Sequence, residues 1–180
     1  MAMPTSLSSS SSANQWTYDV FLCFRGMDTR SNFTGHLYYA LSRNQINAFM
    51  DDKSLRKGDE ITPALTKAIK ESRIAIVIFS KNFASSRFCL DEIVMIMDCL
   101  KRKGNYQVLP VFYKVTPAVV RHQIGSFEES LANHERRISG NGKVQEWKAA
   151  LEEAANIFGW HVDGYIKHHC FAINILFLGD

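Results

Sequence analysis

The stretch Arg73-Ile74-Ala75-Ile76-Val77-Ile78-Phe79 decides the fold. After Ile74 it carries five apolar side chains in succession, with no polar alternation. Successive side chains of a strand point to opposite faces, so such a run must be buried on both; this is the pattern of a parallel sheet covered by helices. Its flanks agree. Before it, Thr62-Pro63 supplies an N-cap with proline at the first helical position, and Leu65, Ala68 and Ile69 follow as an apolar face. After it, Cys89, Leu90, Ile93, Val94, Ile96, Met97 and Leu100 recur at helical spacing as far as Gly104.

The alternation continues outward. Tyr18 to Phe24 reads as a first strand ended by Arg25-Gly26; Phe33, Leu37, Tyr38 and Leu41 mark a helix with Ser31 as N-cap; Ile46 to Met50 reads as a second strand. Val108 to Tyr113 reads as a fourth strand, in which Pro110 must lie where its missing N–H is tolerated. Thr116-Pro117 opens a short helix, Phe127 to Arg137 reads as another, and Ser139 to Gly142 as a loop. Val144, Trp147, Leu151, Ala154, Ala155 and Phe158 mark a long amphipathic helix with Gly159 as its C-cap. Strand and helix thus alternate at least four times, which predicts an α/β sandwich. Ligands of such sheets bind beyond the carboxyl ends of the strands. The functional shortlist is therefore Arg25 and Gly26, the segment Asp51 to Glu60, Ser80 to Phe88, and Lys114 to Pro117.

Composition removes function classes without naming one. The 180 residues are 46% hydrophobic and 22% charged, with a formal net charge of +3, which fits one globular domain and gives no strong nucleic-acid signal. No apolar run reaches the roughly 20 residues of a membrane span. Four cysteines, at 23, 89, 99 and 170, form no CxxC pair and read as reduced thiols. His168-His169-Cys170 is too contiguous to converge on one metal ion. Residues 1–15 read as a disordered Ser-rich leader, and 166–180 as a tail of unclear structure. Only Gly26 follows the first strand, so there is no GxGxxG; GxxxxGK[ST] and GxSxG are absent as well. Ser80-Lys81 stands where a phospho-receiver needs an acidic residue at the end of the third strand.

Tyr18-Asp19-Val20-Phe21-Leu22-Cys23-Phe24-Arg25-Gly26-Met27-Asp28-Thr29-Arg30 resembles the opening motif of plant Toll/interleukin receptor (TIR) domains. Ile46 to Gly58 is similar to that family's second strand and BB loop. Ala75 to Ser80 followed by Ser85-Ser86-Arg87-Phe88-Cys89-Leu90-Asp91-Glu92 resembles its third strand and the helix after it. Leu109 to Tyr113 with Val115-Thr116-Pro117 and Val120-Arg121 matches the next block, and Trp147 to Trp160 resembles its last helix. The resemblance implies a flavodoxin-like, three-layer sandwich with a five-stranded parallel sheet, helices on both faces, and a domain over 16–165. It also implies an activity: cleavage of NAD+ between nicotinamide and ribose, giving nicotinamide and ADP-ribose or cyclic ADP-ribose as signals in plant immunity. NAD+ is then substrate, with no cofactor and no metal. The mild charge and the reduced thiols fit a cytoplasmic protein, with the nucleus as the alternative location. At this length one such module with a short leader fills the chain, so the expectation is a TIR-only protein or a fragment of a receptor.

The family's catalytic glutamate maps to Glu92. A carboxylate there can hold ribose hydroxyls and stabilise the developing oxocarbenium charge; read without the family, it is a solvated first-turn carboxylate at a helix N-terminus. Phe88 lies one turn before it and stands where the family usually has Trp; it either stacks on the ligand or packs in the core. Arg25 and Arg30 suit phosphate, or an ion pair with Asp19, Asp28 or Asp51. Gly26 fits a close backbone approach or a plain turn, and Ser86 a ribose or phosphate contact or a helix cap. Cys23 replaces a common Ser and has no base in sequence to make it a nucleophile. The resemblance implies self-association, and association with other TIR domains, through Gly35-His36, where the family has Ser-His, and Gly159. The rival reading is a non-catalytic interaction module that modulates TIR-type receptors.

Overall fold

The computed structural model of the protein describes residues 16–51, 62–138 and 142–163. In chain order its elements are β1 (Tyr18–Phe24), α1 (Gly26–Thr29), α2 (Phe33–Arg43), β2 (Ala48–Phe49), α3 (Pro63–Lys70), β3 (Ser72–Phe79), a 3-10 turn (Phe83–Ser85), α4 (Arg87–Arg102), β4 (Gln107–Tyr113), α5 (Pro117–Arg121), α6 (Ser126–Arg137), α7 (Gly142–Asn156) and β5 (Trp160–Val162). The strands form one parallel sheet in the order β2-β1-β3-β4-β5, the flavodoxin-like order expected.

Burial follows the two-sided pattern of β3. Ala75, Val77 and Phe79 pack on one face with Leu65, Ile69, Leu90, Ile93, Phe127 and Trp147 from α3, α4, α6 and α7. Ile74, Ile76 and Ile78 pack on the other with Phe33, Leu37 and Leu41 of α2. Thr62 and Thr116 cap α3 and α5 as expected, accepting from Leu65 N and Val119 N at 3.2 and 3.3 Å. Pro110 is tolerated in a central strand for a geometric reason. Its carbonyl lies beside Gly159, on the β5 side, and a strand residue presents its N and O to the same side. The missing N–H therefore faces β5, which begins pairing only at Val111↔Trp160.

Several boundaries differ from the sequence reading. Asn32, not Ser31, caps α2, its side chain accepting from Phe33 N. The second strand shrinks from Ile46–Met50 to two residues. Gly142 opens α7 instead of closing a loop. Gly159 is not a C-cap: α7 ends at Asn156, and Gly159 sits in the connection to β5 without a left-handed φ. Phe158 leaves the helical pattern with it and is 85% exposed, because the chain has already turned toward the sheet. Trp160 belongs to β5, the strand that had no pattern of its own; three residues are too few to show a period. The leader, the tail with His168-His169-Cys170, and most of Asp51–Glu60 lie outside the described residues.

Gly35, in the first turn of α2, is required by its surroundings. A Cβ there would stand 2.4 Å from the carbonyl oxygen of Arg30, a backbone atom. Gly→Ala inside a helix ordinarily stabilises by up to about 1 kcal/mol. Here we expect the opposite sign: Gly35→Ala should cost roughly 1–3 kcal/mol as the turn before α2 is displaced. Thermal or urea unfolding of the two proteins checks this, and an unchanged or raised stability contradicts the close approach.

Candidate active site

Shortlisted segments meet at the carboxyl edge of the sheet: the end of β1, the loop after β3, and the first turns of α4. Ser86 starts the helix, its Oγ accepting from Cys89 N at 3.4 Å, so the capping reading of Ser86 holds. Cys89 Sγ donates to Phe24 O at 3.5 Å and ties that first turn to the end of β1. Asp91 and Glu92 are then sorted by the helix. Asp91 points outward and accepts from Trp147 Nε1 at 2.8 Å and Lys143 Nζ at 2.9 Å, both on α7. Glu92 points inward and is only 7% exposed, which removes the solvated-carboxylate reading.

Burial pushes the Glu92 carboxyl up from 4.5 to about 8. The Cys23 thiol, within hydrogen-bonding reach, opposes that rise, while Asp51 and Asp91 add to it. Burial and Glu92 push the Cys23 thiol well up, and burial first, then Glu92, raises Cys89 to about 12, so neither cysteine offers a thiolate. A carboxyl balanced near neutrality among unreactive thiols can accept a hydroxyl hydrogen bond or face a developing positive charge once ionised.

Phe88 is half-buried and, among the described residues, belongs to neither apolar core cluster. Arg25 is half-buried at the N-terminus of α1; its Nη2 donates to Met27 Sδ at 3.6 Å, and its Nε is buried without a partner. Arg30 is otherwise disposed: its guanidinium lies 5.0 Å over the Phe24 ring. None of the ion pairs among the described residues involves either arginine. Gly26 needs no special φ, but a Cβ there would meet Arg30 Nε at 3.4 Å, so its bareness gives that side chain room.

Asp28 is one of the three carboxylates that the sequence offers as partners for the arginines. Instead of pairing with an arginine it accepts from Ser80 Oγ at 2.6 Å, Asn82 N at 3.0 Å and Asn82 Nδ2 at 3.1 Å. Its partners lie 52 and 54 positions away, so no local spacing announces them. The expected interface residues do not converge within one chain. Exposed His36 and half-buried Gly35 are on α2, on one face of the sheet, whereas α7 packs on the other and Gly159 abuts Pro110.

The Glu92 displacement fixes a pH dependence. Its folded-state pKa is raised, so its contribution to stability is complete below about 4.5, declines as pH rises, and is gone above about 8. Glu92→Gln should abolish this decline. Relative to wild type, the variant should gain on the order of 3 kcal/mol between pH 5 and pH 8, at about 1.4 kcal/mol per unit. Denaturant melts at both pH values read the difference; parallel behaviour of the two proteins would show the carboxyl to be solvated.

A family model described as the TIR domain matches residues 17–175. The chain is 54% identical over 146 residues to disease resistance protein RPV1 of Vitis rotundifolia, covering 81% of this chain and 10% of that protein. It is 49% identical over 154 residues to TMV resistance protein N of Nicotiana glutinosa, covering 85% and 13%. The TIR domains in the structure of the activated Roq1 resistosome directly recognizing the pathogen effector XopQ superpose with a TM-score of 0.80 at 43% identity, covering 89% of this chain and 98% of that chain. The chain thus spans about a tenth of the length of the plant resistance proteins it matches. Among the described residues no helix is long and apolar enough to cross a membrane. With a matched sheet order, a matched motif series and relatives this similar, the chain belongs to the TIR domain family.

Proposed function

We propose that this TIR domain cleaves NAD+ at the nicotinamide–ribose bond, releasing nicotinamide and ADP-ribose or a cyclic product, and that it does so as an assembly in plant immune signalling. The observation that carries the reading is the buried Glu92 carboxyl at the carboxyl edge of the sheet, one helical turn from a Phe88 ring outside the core. Loss of nicotinamide leaves an oxocarbenium-like ribose, and an ionised Glu92 holds the ribose hydroxyls and faces that charge. Phe88 supplies a stacking surface. Arg25, with a buried guanidinium nitrogen lacking a partner, suits a phosphate oxygen. Ser86 and Arg30 contribute by capping α4 and packing on Phe24, and Gly26 by leaving room beside Arg30. The substrate carries its own cationic leaving group, so the scheme needs no metal or further cofactor.

Assembly enters through the ionisation of Glu92. In a single chain burial biases the group toward its protonated form. A neighbouring molecule that brings a cation or an N–H donor to the carboxyl would favour its ionised form. Phe158, 85% exposed beside the expected interface residue Gly159, offers a surface for such association. The same bias at Glu92 also favours the second reading, in which the lone domain is a non-catalytic module acting on other TIR domains. Incubation of concentrated purified protein with NAD+ separates the two. We expect nicotinamide release, falling by at least roughly a hundredfold in Glu92→Ala. Absence of release, or equal release from the variant, leaves the interaction module. Phe158→Asp should lower self-association, seen by light scattering, and lower turnover in parallel at constant protein concentration.

A further inference from the structure

We propose that Asp28 is a positioning residue for the reaction above, locking the substrate-gripping end of β1 to the loop that carries α4. The inference rests on the NAD+-cleavage reading for its kinetic consequence but on geometry for its substance. The loop from Ser80 to Ser86 connects β3 to the helix bearing Phe88 and Glu92. It is held from two sides. On the outer side α6 reaches it twice: Ser126 Oγ donates to Lys81 O at 2.7 Å, and His134 Nε2 lies 3.0 Å from Ala84 O. Burial lowers the His134 pKa, and because a carbonyl oxygen only accepts, Nε2 carries the hydrogen of this bond. On the inner side, among the described residues, hydrogen bonds from this loop to the β1–α2 segment run to one carboxylate. Asp28 accepts the Ser80 hydroxyl, the Asn82 backbone N–H and the Asn82 side-chain amide.

Asp28 stands three residues after Arg25 and two after Gly26, in the same short helix α1. Its carboxylate therefore sets the separation between the arginine that suits a phosphate and the helix that carries the reacting carboxyl. A carboxylate is the side chain suited to this task, because it accepts on both oxygens and donates on neither. An amide in its place would turn an NH2 toward at least one of three donors. With the outer side still gripped by α6, losing Asp28 shifts the loop without unfolding it. Misalignment of binding and reacting groups acts on the transition state more than on ground-state binding.

The experiment compares wild type, Asp28→Ala, Asp28→Asn and the double variant Ser80→Ala/Asn82→Ala. Nicotinamide release is measured over a range of NAD+ concentrations, below the melting temperature of each protein, and amide hydrogen exchange is followed by mass spectrometry. We expect Asp28→Ala to lower kcat by roughly ten- to a hundredfold while KM moves by less than about threefold. Asp28→Asn should fall between wild type and Asp28→Ala. The double variant should reproduce part of the Asp28→Ala loss, and adding Asp28→Ala to it should add little. Exchange should rise at Lys81 to Cys89 and stay unchanged in α2 and α7. A folded Asp28→Ala with unchanged kcat overturns the proposal, as does an exchange increase spread evenly over the domain. If wild type releases no nicotinamide, the NAD+ reading fails by itself. The clamp is then decided by exchange alone: local loosening upholds it and an unchanged loop refutes it. Should Asp28→Ala not fold, Asp28→Asn and the Ser80/Asn82 double variant carry the same two measurements.

Discussion

Burial of β3 on both faces is the constraint on which the remaining structure depends. From Ile74 to Phe79 the strand is effectively inaccessible to solvent, and its backbone pairs with β1 on one side and β4 on the other. Both pairings are parallel, so each connection must cross over a face of the sheet, and the crossovers are the helices that cover it. The polarity has a further result: every strand ends at the same edge. Asp28 after β1 and Ser80 after β3 come within hydrogen-bonding distance because the strands before them share a direction, not because anything near either residue in the chain calls for it.

Much of this was legible in the sequence, and the reason is physical. Long apolar runs and capped helices carry their own period, so β1, β3, α3, α4 and α6 were located within a residue or two. The elements that were misjudged are short or lie at boundaries. A two-residue β2 and a three-residue β5 cannot display alternation, and their existence depends on pairing with β1 and β4. Glycine is common at helix ends, which makes Gly159 look like a helix terminator, whereas the close approach of Pro110 O is what excludes a side chain there.

The site divides in the same way. Glu92 and Phe88 were legible through the helical period and the family likeness, and Ser86 through its capping chemistry. Which face of α4 each carboxylate would take was not, since Asp91 and Glu92 are adjacent and equally acidic. The helix decides by what packs against it: Trp147 and Lys143 on α7 draw Asp91 outward, and the end of β1 receives Glu92. The role of Asp28 was hidden because its three donors come from a loop more than fifty residues on. Interactions of that range exist only after the sheet has formed.

The two outer strands have a consequence for how copies of this domain can meet. A sheet edge is a template for adding strands from another chain, and long, flat edges lead to open-ended stacking. Here β2 offers two residues at one margin and β5 three at the other, and β5 follows immediately on Gly159 and the exposed Phe158. Among the described residues, neither margin presents more than three strand residues for a neighbouring chain to pair with. Among the described residues the surface open to a second molecule is therefore made mostly of helix faces and loops, which favour contacts of finite size over an extended ladder.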